Sequence, residues 1–201
     1  MEIKSAKFVT SVSNSKNILK DGINEIAFVG RSNVGKSSLI NMLVKQKKLA
    51  KTSSTPGRTR LINYFLVNDD LYFVDLPGYG YAKASKAEVG GWQSMIEPYL
   101  IDNPQLKCVC MLVDSRYEPT EQDKQMIKFL NYYQLPFIII ATKCDKFGKS
   151  QIKPQMQKIA NALCVGKDNV FASSSDKMLG RNEILAKLDQ FLIENPEDDI
   201  E

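Results

Sequence analysis

Glu25-Ile26-Ala27-Phe28-Val29-Gly30-Arg31-Ser32-Asn33-Val34-Gly35-Lys36-Ser37-Ser38-Leu39-Ile40 decides how this chain folds. The apolar run 26–29 predicts a buried strand, and apolar residues at 39, 40, 43 and 44 keep the spacing of a helix. Between them, Gly30 to Ser37 fit G-x-x-x-x-G-K-[ST], in the strand–loop–helix setting that this pattern requires. Its physics is that of a phosphate cradle. Glycines let backbone N–H groups close around a polyphosphate, and the helix N-terminus adds partial positive charge. Gly30, Arg31, Ser32, Asn33, Val34, Gly35, Lys36, Ser37 and Ser38 are therefore the expected phosphate-side contacts. Lys36 would reach the β- and γ-phosphates, and the Ser37 hydroxyl would face a magnesium ion.

Outward from this loop, strand and helix patterns alternate. Leu61 to Val67 and Leu71 to Val74 predict two strands joined by the tight turn Asn68-Asp69-Asp70, hence an antiparallel pair. Further strands are predicted at Leu106 to Val113, Pro136 to Ala141 and Val170 to Ala172. Helices are predicted at Thr120 to Tyr133, Pro154 to Leu163 and Asn182 to Ile193. Thr120 can cap the first of these, with Asp123 three residues on. The pattern predicts a three-layer α/β domain over 23–194: a mostly parallel six-stranded sheet with one antiparallel hairpin pair and helices on both faces. Residues 1–22 are read as an extension packed on it, and 195–201 as an acidic, disordered tail. Lys47 to Arg60 and Leu76 to Gly90 lack periodicity and follow the phosphate-site elements, as switch loops would.

Four more patterns carry chemistry. Asp75-Leu76-Pro77-Gly78 ends a strand and reads D-x-x-G. Asp75 there would hold magnesium through water, and the Gly78 N–H would sense a γ-phosphate. Thr142-Lys143-Cys144-Asp145 follows the apolar strand that ends at Ala141 and matches [NT]-K-x-D. A carboxylate at 145 accepts both the N1–H and the 2-amino hydrogen of guanine, while adenine would leave it unpaired. Lys143 can lie along the base and brace the phosphate loop, and Thr142 keeps a hydroxyl where Asn is usual. Backbone N–H groups of Ser173, Ser174 and Ser175 would face guanine O6. In the first irregular loop, Thr55-Pro56-Gly57-Arg58-Thr59-Arg60, Thr59 is the expected second direct magnesium ligand, with Thr55 as the alternative, and Gly57 is placed against the nucleotide. Lys36, Thr59 and Gly78 are the residues expected to bear on the reaction itself.

Composition narrows the classes. The 201 residues contain no histidine, which excludes Ser-His-Asp and Cys-His catalysis. The four cysteines form no C-x-x-C pair, so a thiolate zinc site is not expected. No apolar stretch approaches ~20 residues, and Met1 to Ser5 lack a signal core, so no membrane association and a cytoplasmic location are expected. Five of the last eight residues are acidic, which leaves the rest of the chain at +9 against a net +4. A basic body suggests a polyanionic partner. Lys45, Lys47, Lys48, Lys51, Arg58 and Arg60 form a basic run that could meet RNA phosphates, and Tyr79, Tyr81 and Trp92 could stack on bases, though Trp92 also suits a core anchor.

The motif order is that of a GTP-binding domain, and the flanks go further. Gly30 to Ser38, Thr55 to Thr59, Asp75-Leu76-Pro77-Gly78-Tyr79-Gly80-Tyr81-Ala82, Asp114-Ser115-Arg116, Trp92 with Tyr99-Leu100, and Thr142 to Lys146 resemble the EngB family of bacterial ribosome-biogenesis GTPases. The resemblance runs from about residue 5 to 193. It implies binding of GTP and GDP with Mg2+, and a role with the large ribosomal subunit, its rRNA or its proteins. A monomer is expected. Tyr79 stands where many signalling GTPases carry a water-orienting Gln, so intrinsic hydrolysis should be slow. In related GTPases an Asn at the position of Asn33 ligates K+, which makes Asn33 a candidate potassium ligand. Two rivals stand beside an assembly switch. One is a nucleotide-gated scaffold in which hydrolysis is incidental; the other is an ATP-using kinase, against which Asp145 speaks.

Overall fold

The computed structural model describes residues 1–14, 17–51, 61–79 and 95–193. Its sheet has seven strands: β1 (Ala6–Val12), β2 (Asn24–Gly30), β3 (Ile62–Val67), β4 (Leu71–Asp75), β5 (Leu106–Asp114), β6 (Phe137–Thr142) and β7 (Val170–Ala172). They lie in the order β1-β3-β4-β2-β5-β6-β7. From β4 to β7 all neighbours are parallel. β3 is antiparallel to β4, and β1 to β3. The hairpin turns on Asn68 and Asp69, both left-handed at φ 53° and 62°, which is the type I′ preference of short polar residues.

Alternation along the strands makes the three layers. Ala27, Val29, Val109, Met111, Val113, Ile139 and Ala141 face one side. There they meet α2 (described over 95–101), α3 (Glu121–Tyr132) and α4 (Lys149–Leu163). Ile26, Phe28, Cys108, Cys110, Leu112, Ile138 and Ile140 face the other, against α1 (Lys36–Leu43) and α5 (Arg181–Gln190). A strand buried on both faces cannot show a polar-out period, so β5 and β6 read as unbroken apolar runs. Among the described residues no helix is long and apolar enough to cross a membrane.

Two elements differ from the sequence pattern. The seventh strand, β1, comes from the N-terminal segment. A register shift between Phe8 and Thr10 breaks its alternation, and three successive residues, Lys7 to Val9, are exposed, so no period of two survives to be read. It is tied down from outside: the Asn68 side-chain oxygen accepts from Lys4 N–H and Ser5 N–H at 2.8 and 3.3 Å, and the Met1 ammonium pairs with Asp189 at 2.9 Å. α4 begins at Lys149, five residues ahead of Pro154. The proline sits within its first two turns, where it forfeits one backbone bond without ending the helix.

At the amino end of β2, far from Gly30, a carboxylate is buried. Glu25 is fully buried and accepts from Tyr99 Oη at 2.6 Å, Asn103 Nδ2 at 2.9 Å and Gln105 Nε2 at 3.2 Å. These bonds tie the end of α2 and the start of β5 to the central strand. Burial raises the Glu25 pKa above 4.5, and the bonds from Tyr99 and Asn103 only partly offset it. The protonated form is thus favoured more in the folded state than in the unfolded one. Stability should fall as pH rises from about 4.5 through the raised value, as the unfolded chain ionises first. Tyr99→Phe removes one donor from this buried acceptor and should cost about 2 kcal/mol in urea unfolding, with a steeper loss across that pH window; an unchanged midpoint would mean that the bond contributes nothing.

Candidate functional site

Because the central strands are parallel, their carboxyl ends gather at one edge. Gly30, Asp75, Asp114, Thr142 and Ala172 close β2, β4, β5, β6 and β7. Sheets of this kind bind ligands at that edge. A cleft of 960 Å³ opens there, lined by residues 31–38 and by Asp75, Gly78, Lys51 and Lys143.

The phosphate loop leaves β2 at Gly30 and turns through two left-handed residues, Asn33 at φ 63° and Gly35 at φ 105°. Gly35 is the N-cap of α1, which has no side-chain cap and no acid in its first turn. The helix therefore offers its amino-terminal N–H groups and its dipole to an anion. Lys36, in that first turn, touches the Asp75 carboxylate with Nζ. Burial pulls the Lys36 ammonium down to about 7. Ser37 and Ser38 follow at the cleft wall, and the Asn33 side chain is exposed at the mouth.

The turn after β6 is fastened to this loop. Thr142 Oγ1 donates to the Val34 carbonyl at 2.7 Å, with Val113 O at 3.1 Å as its other acceptor. Lys143, left-handed at φ 62°, sends Nζ to the Asn33 carbonyl and to Asp114 Oδ2, both at 2.9 Å. Asp114 also accepts from Arg116 Nε and Nη2 at 2.9 and 2.8 Å. Burial alone would raise the Asp114 pKa, but the bonds from Arg116 and Lys143 prevail and hold it at about 2. Asp145 accepts from Ser174 Oγ at 2.7 Å and pairs with Lys146 at 2.9 Å; the Lys146 bond, then the Ser174 bond, keep it below the usual carboxylate value. Each oxygen retains a second lone pair for an incoming donor. The amides of Ser173 and Ser174 are engaged in this state, with Ala141 O at 2.8 Å and Leu179 O at 3.3 Å. Ser175 follows in the same turn.

Tyr79 lies apart from the cleft chemistry. Its ring is 7% exposed and packs in the core beneath α3, and its Oη donates to Asp123 Oδ1 at 2.7 Å. It can neither orient a water at the phosphates nor stack on a base, which corrects the stacking expectation for this residue. Its main chain pairs with the phosphate loop instead: Tyr79 N–H donates to Gly30 O at 3.2 Å, and Ser32 N–H to Tyr79 O at 3.3 Å. A Cβ at Gly78 would lie 3.0 Å from Ser32 N, so only glycine allows this approach. Sequence reasoning placed Asp123 in the Thr120 cap, as the helix geometry bears out, but gave neither it nor Asp114 or Arg116 a part in the site. The Asp-Ser-Arg sequence at the end of β5 was the one visible signal. The basic run is split. Lys45, Lys47 and Lys48 are exposed beyond the C-terminal end of α1, while Lys51 lines the cleft. Thr55, Gly57, Arg58, Thr59, Arg60, Tyr81, Trp92 and the acidic tail lie outside the described residues.

The comparisons agree with this geometry. A family model described as 50S ribosome-binding GTPase matches residues 25–143. The chain is 49% identical over 193 residues to the "Probable GTP-binding protein EngB" of Clostridium kluyveri, covering 96% of this chain and 98% of that protein. It is 44% identical to the like-named protein of Geobacter metallireducens, covering 98% and 97%. Among solved structures, one of a "probable GTP-binding protein engB" superposes with a TM-score of 0.70 at 23% identity, covering 85% of this chain and all of that one. Era in complex with MgGDPNP and a 16S ribosomal RNA fragment superposes with 0.65 at 23%, covering 89% and 62%. A phosphate loop clamped to a Thr-Lys-Cys-Asp turn, on a sheet of this order, places the chain in the EngB family of GTP-binding proteins, within the 50S ribosome-binding GTPases.

Proposed function

We propose that this chain is a guanine-nucleotide switch in assembly of the large ribosomal subunit, with slow intrinsic hydrolysis of GTP. The observation that carries the nucleotide part is the clamp joining Asn33 and Val34 on one side to Thr142 and Lys143 on the other. It sets a phosphate cradle and a guanine-reading carboxylate in one rigid frame. With nucleotide bound, Lys36 would exchange the Asp75 carboxylate for β- and γ-phosphate oxygens, and Asp75 would be free to hold magnesium through water. Gly78 faces the γ-phosphate, and Ser174 and Asp145 face the base.

The donors suit Mg2+. The Ser37 hydroxyl and the Asp75 carboxylate are hard oxygens. Among the described residues no group of three or more His, Cys, Asp or Glu could hold a metal alone. That fits an ion whose shell is completed by phosphate oxygens and water. Bound there, Mg2+ neutralises charge on the phosphates. Burial of Tyr79 supports slow unaided hydrolysis, and the exposed Asn33 side chain supports K+ as an added charge at the phosphates.

The partner reading rests on family membership and on the exposed lysines 45, 47, 48 and 51. A scaffold whose hydrolysis is incidental is the second reading, favoured by the position of Tyr79.

Asp145→Asn should shift preference from guanine to xanthine nucleotides by about 100-fold, since the amide presents a donor where the carboxylate accepts; retained GTP preference in competition titrations would sink the base-reading role. GTP hydrolysis should run at least several-fold faster in K+ than in matched Na+, and the difference should vanish in Asn33→Ala; equal rates in the two salts dispose of the cation role. In ribosome-subunit sedimentation, the protein should travel with large subunits in the presence of a non-hydrolysable GTP analogue and not with GDP. Guanine-nucleotide binding without subunit association would move the function to another partner.

A further inference from the structure

Asp123 sits on α3, beyond the nucleotide-binding motifs, yet it is 3% exposed and saturated with hydrogen bonds. Its Oδ2 accepts from Thr120 N–H at 2.8 Å and Thr120 Oγ1 at 2.7 Å, which closes the helix cap. A cap needs no more than that oxygen. The other, Oδ1, accepts from the buried Tyr79 phenol at 2.7 Å. Tyr79 is joined on its main-chain side to Gly30 and Ser32 of the phosphate loop, and Gly78 is packed against the same two residues. The phosphate loop, the D-x-x-G segment and the amino end of α3 therefore meet at one side chain.

We propose that Asp123 is a positioning residue for recognition of the third phosphate: through the Tyr79 phenol it holds the Gly78–Tyr79 backbone beside the phosphate loop, so that the Gly78 N–H is preset for a triphosphate. The proposal rests on Gly78 being the γ-phosphate contact. A donor already in place binds more tightly than one ordered on binding, because the ordering cost is not subtracted from affinity. A diphosphate lacks the group that Gly78 would meet, so its affinity does not depend on the brace.

The test is the ratio of Kd for GDP to Kd for a non-hydrolysable GTP analogue, measured with Mg2+ on the full chain, with thermal unfolding alongside. Tyr79→Phe keeps the ring and the main chain and removes only the hydroxyl. It should weaken the analogue about ten-fold, or about 1.4 kcal/mol, and leave GDP unchanged. Asp123→Ala and the double variant should show the same ratio as Tyr79→Phe, because one link has been cut in all three. Thr120→Val disturbs the cap but leaves the phenol its acceptor, so it should lower Tm and leave the ratio alone. Equal loss for both nucleotides, no change in either, or a gain for the analogue overturns the proposal. Gly78→Ala separates the two levels: if it alone changes the ratio, the brace fails and the contact stands, and if it too is silent, the γ-phosphate role of Gly78 fails with it.

Discussion

Everything at the functional edge depends on the hydrogen bonds that cross from the turn after β6 to the phosphate loop. Thr142 Oγ1 on Val34 O and Lys143 Nζ on Asn33 O join segments more than a hundred residues apart in sequence. Two of the loop's carbonyls, those of Asn33 and Val34, are satisfied by these two side chains. Asn33, a non-glycine residue held left-handed, costs free energy, and such strain persists only where the surroundings fix it. The clamp supplies that fixation. It also sets the distance between the base-reading carboxylate and the phosphate cradle.

Electrostatics reinforce the same geometry. Asp114 is shared by Arg116 and Lys143, so the lysine is held by a charge that stays ionised down to about pH 2. Charge-assisted bonds of this kind are shorter and stronger than neutral ones. Lys143 is thus held in one orientation by Asp114 and the Asn33 carbonyl. Asp145, by contrast, is held by a hydroxyl and a mostly exposed lysine, partners that leave it room to accept from a ligand.

Local patterns were legible in the sequence. The phosphate loop, D-x-x-G and the Thr-Lys-Cys-Asp turn are short, and each sits at a strand end that the apolar runs marked. The buried strands β2, β5 and β6 followed from their unbroken apolar character. What escaped was long-range or irregular. Asp123 looks like an ordinary capping residue, and only the fold shows the phenol of Tyr79 on its second oxygen. Asp114 gave no sign of its link to Lys143, because the two meet only when β5 and β6 pair side by side. β1 was hidden by its bulge and its exposure, and the start of α4 by a proline that the first turns of a helix tolerate.

The two buried phenols have a mechanical consequence. Tyr79 is fastened to α3 through Asp123, and Tyr99 to the central strand through Glu25. Both fastenings are carboxylates out of reach of water, so neither yields cheaply. A displacement that begins at the phosphates and travels along the chain past Tyr79 has to stop at Tyr99, or break a buried bond to go on. The amino-terminal end of the central strand is thereby held by bonds of its own, separate from those that hold the phosphate loop.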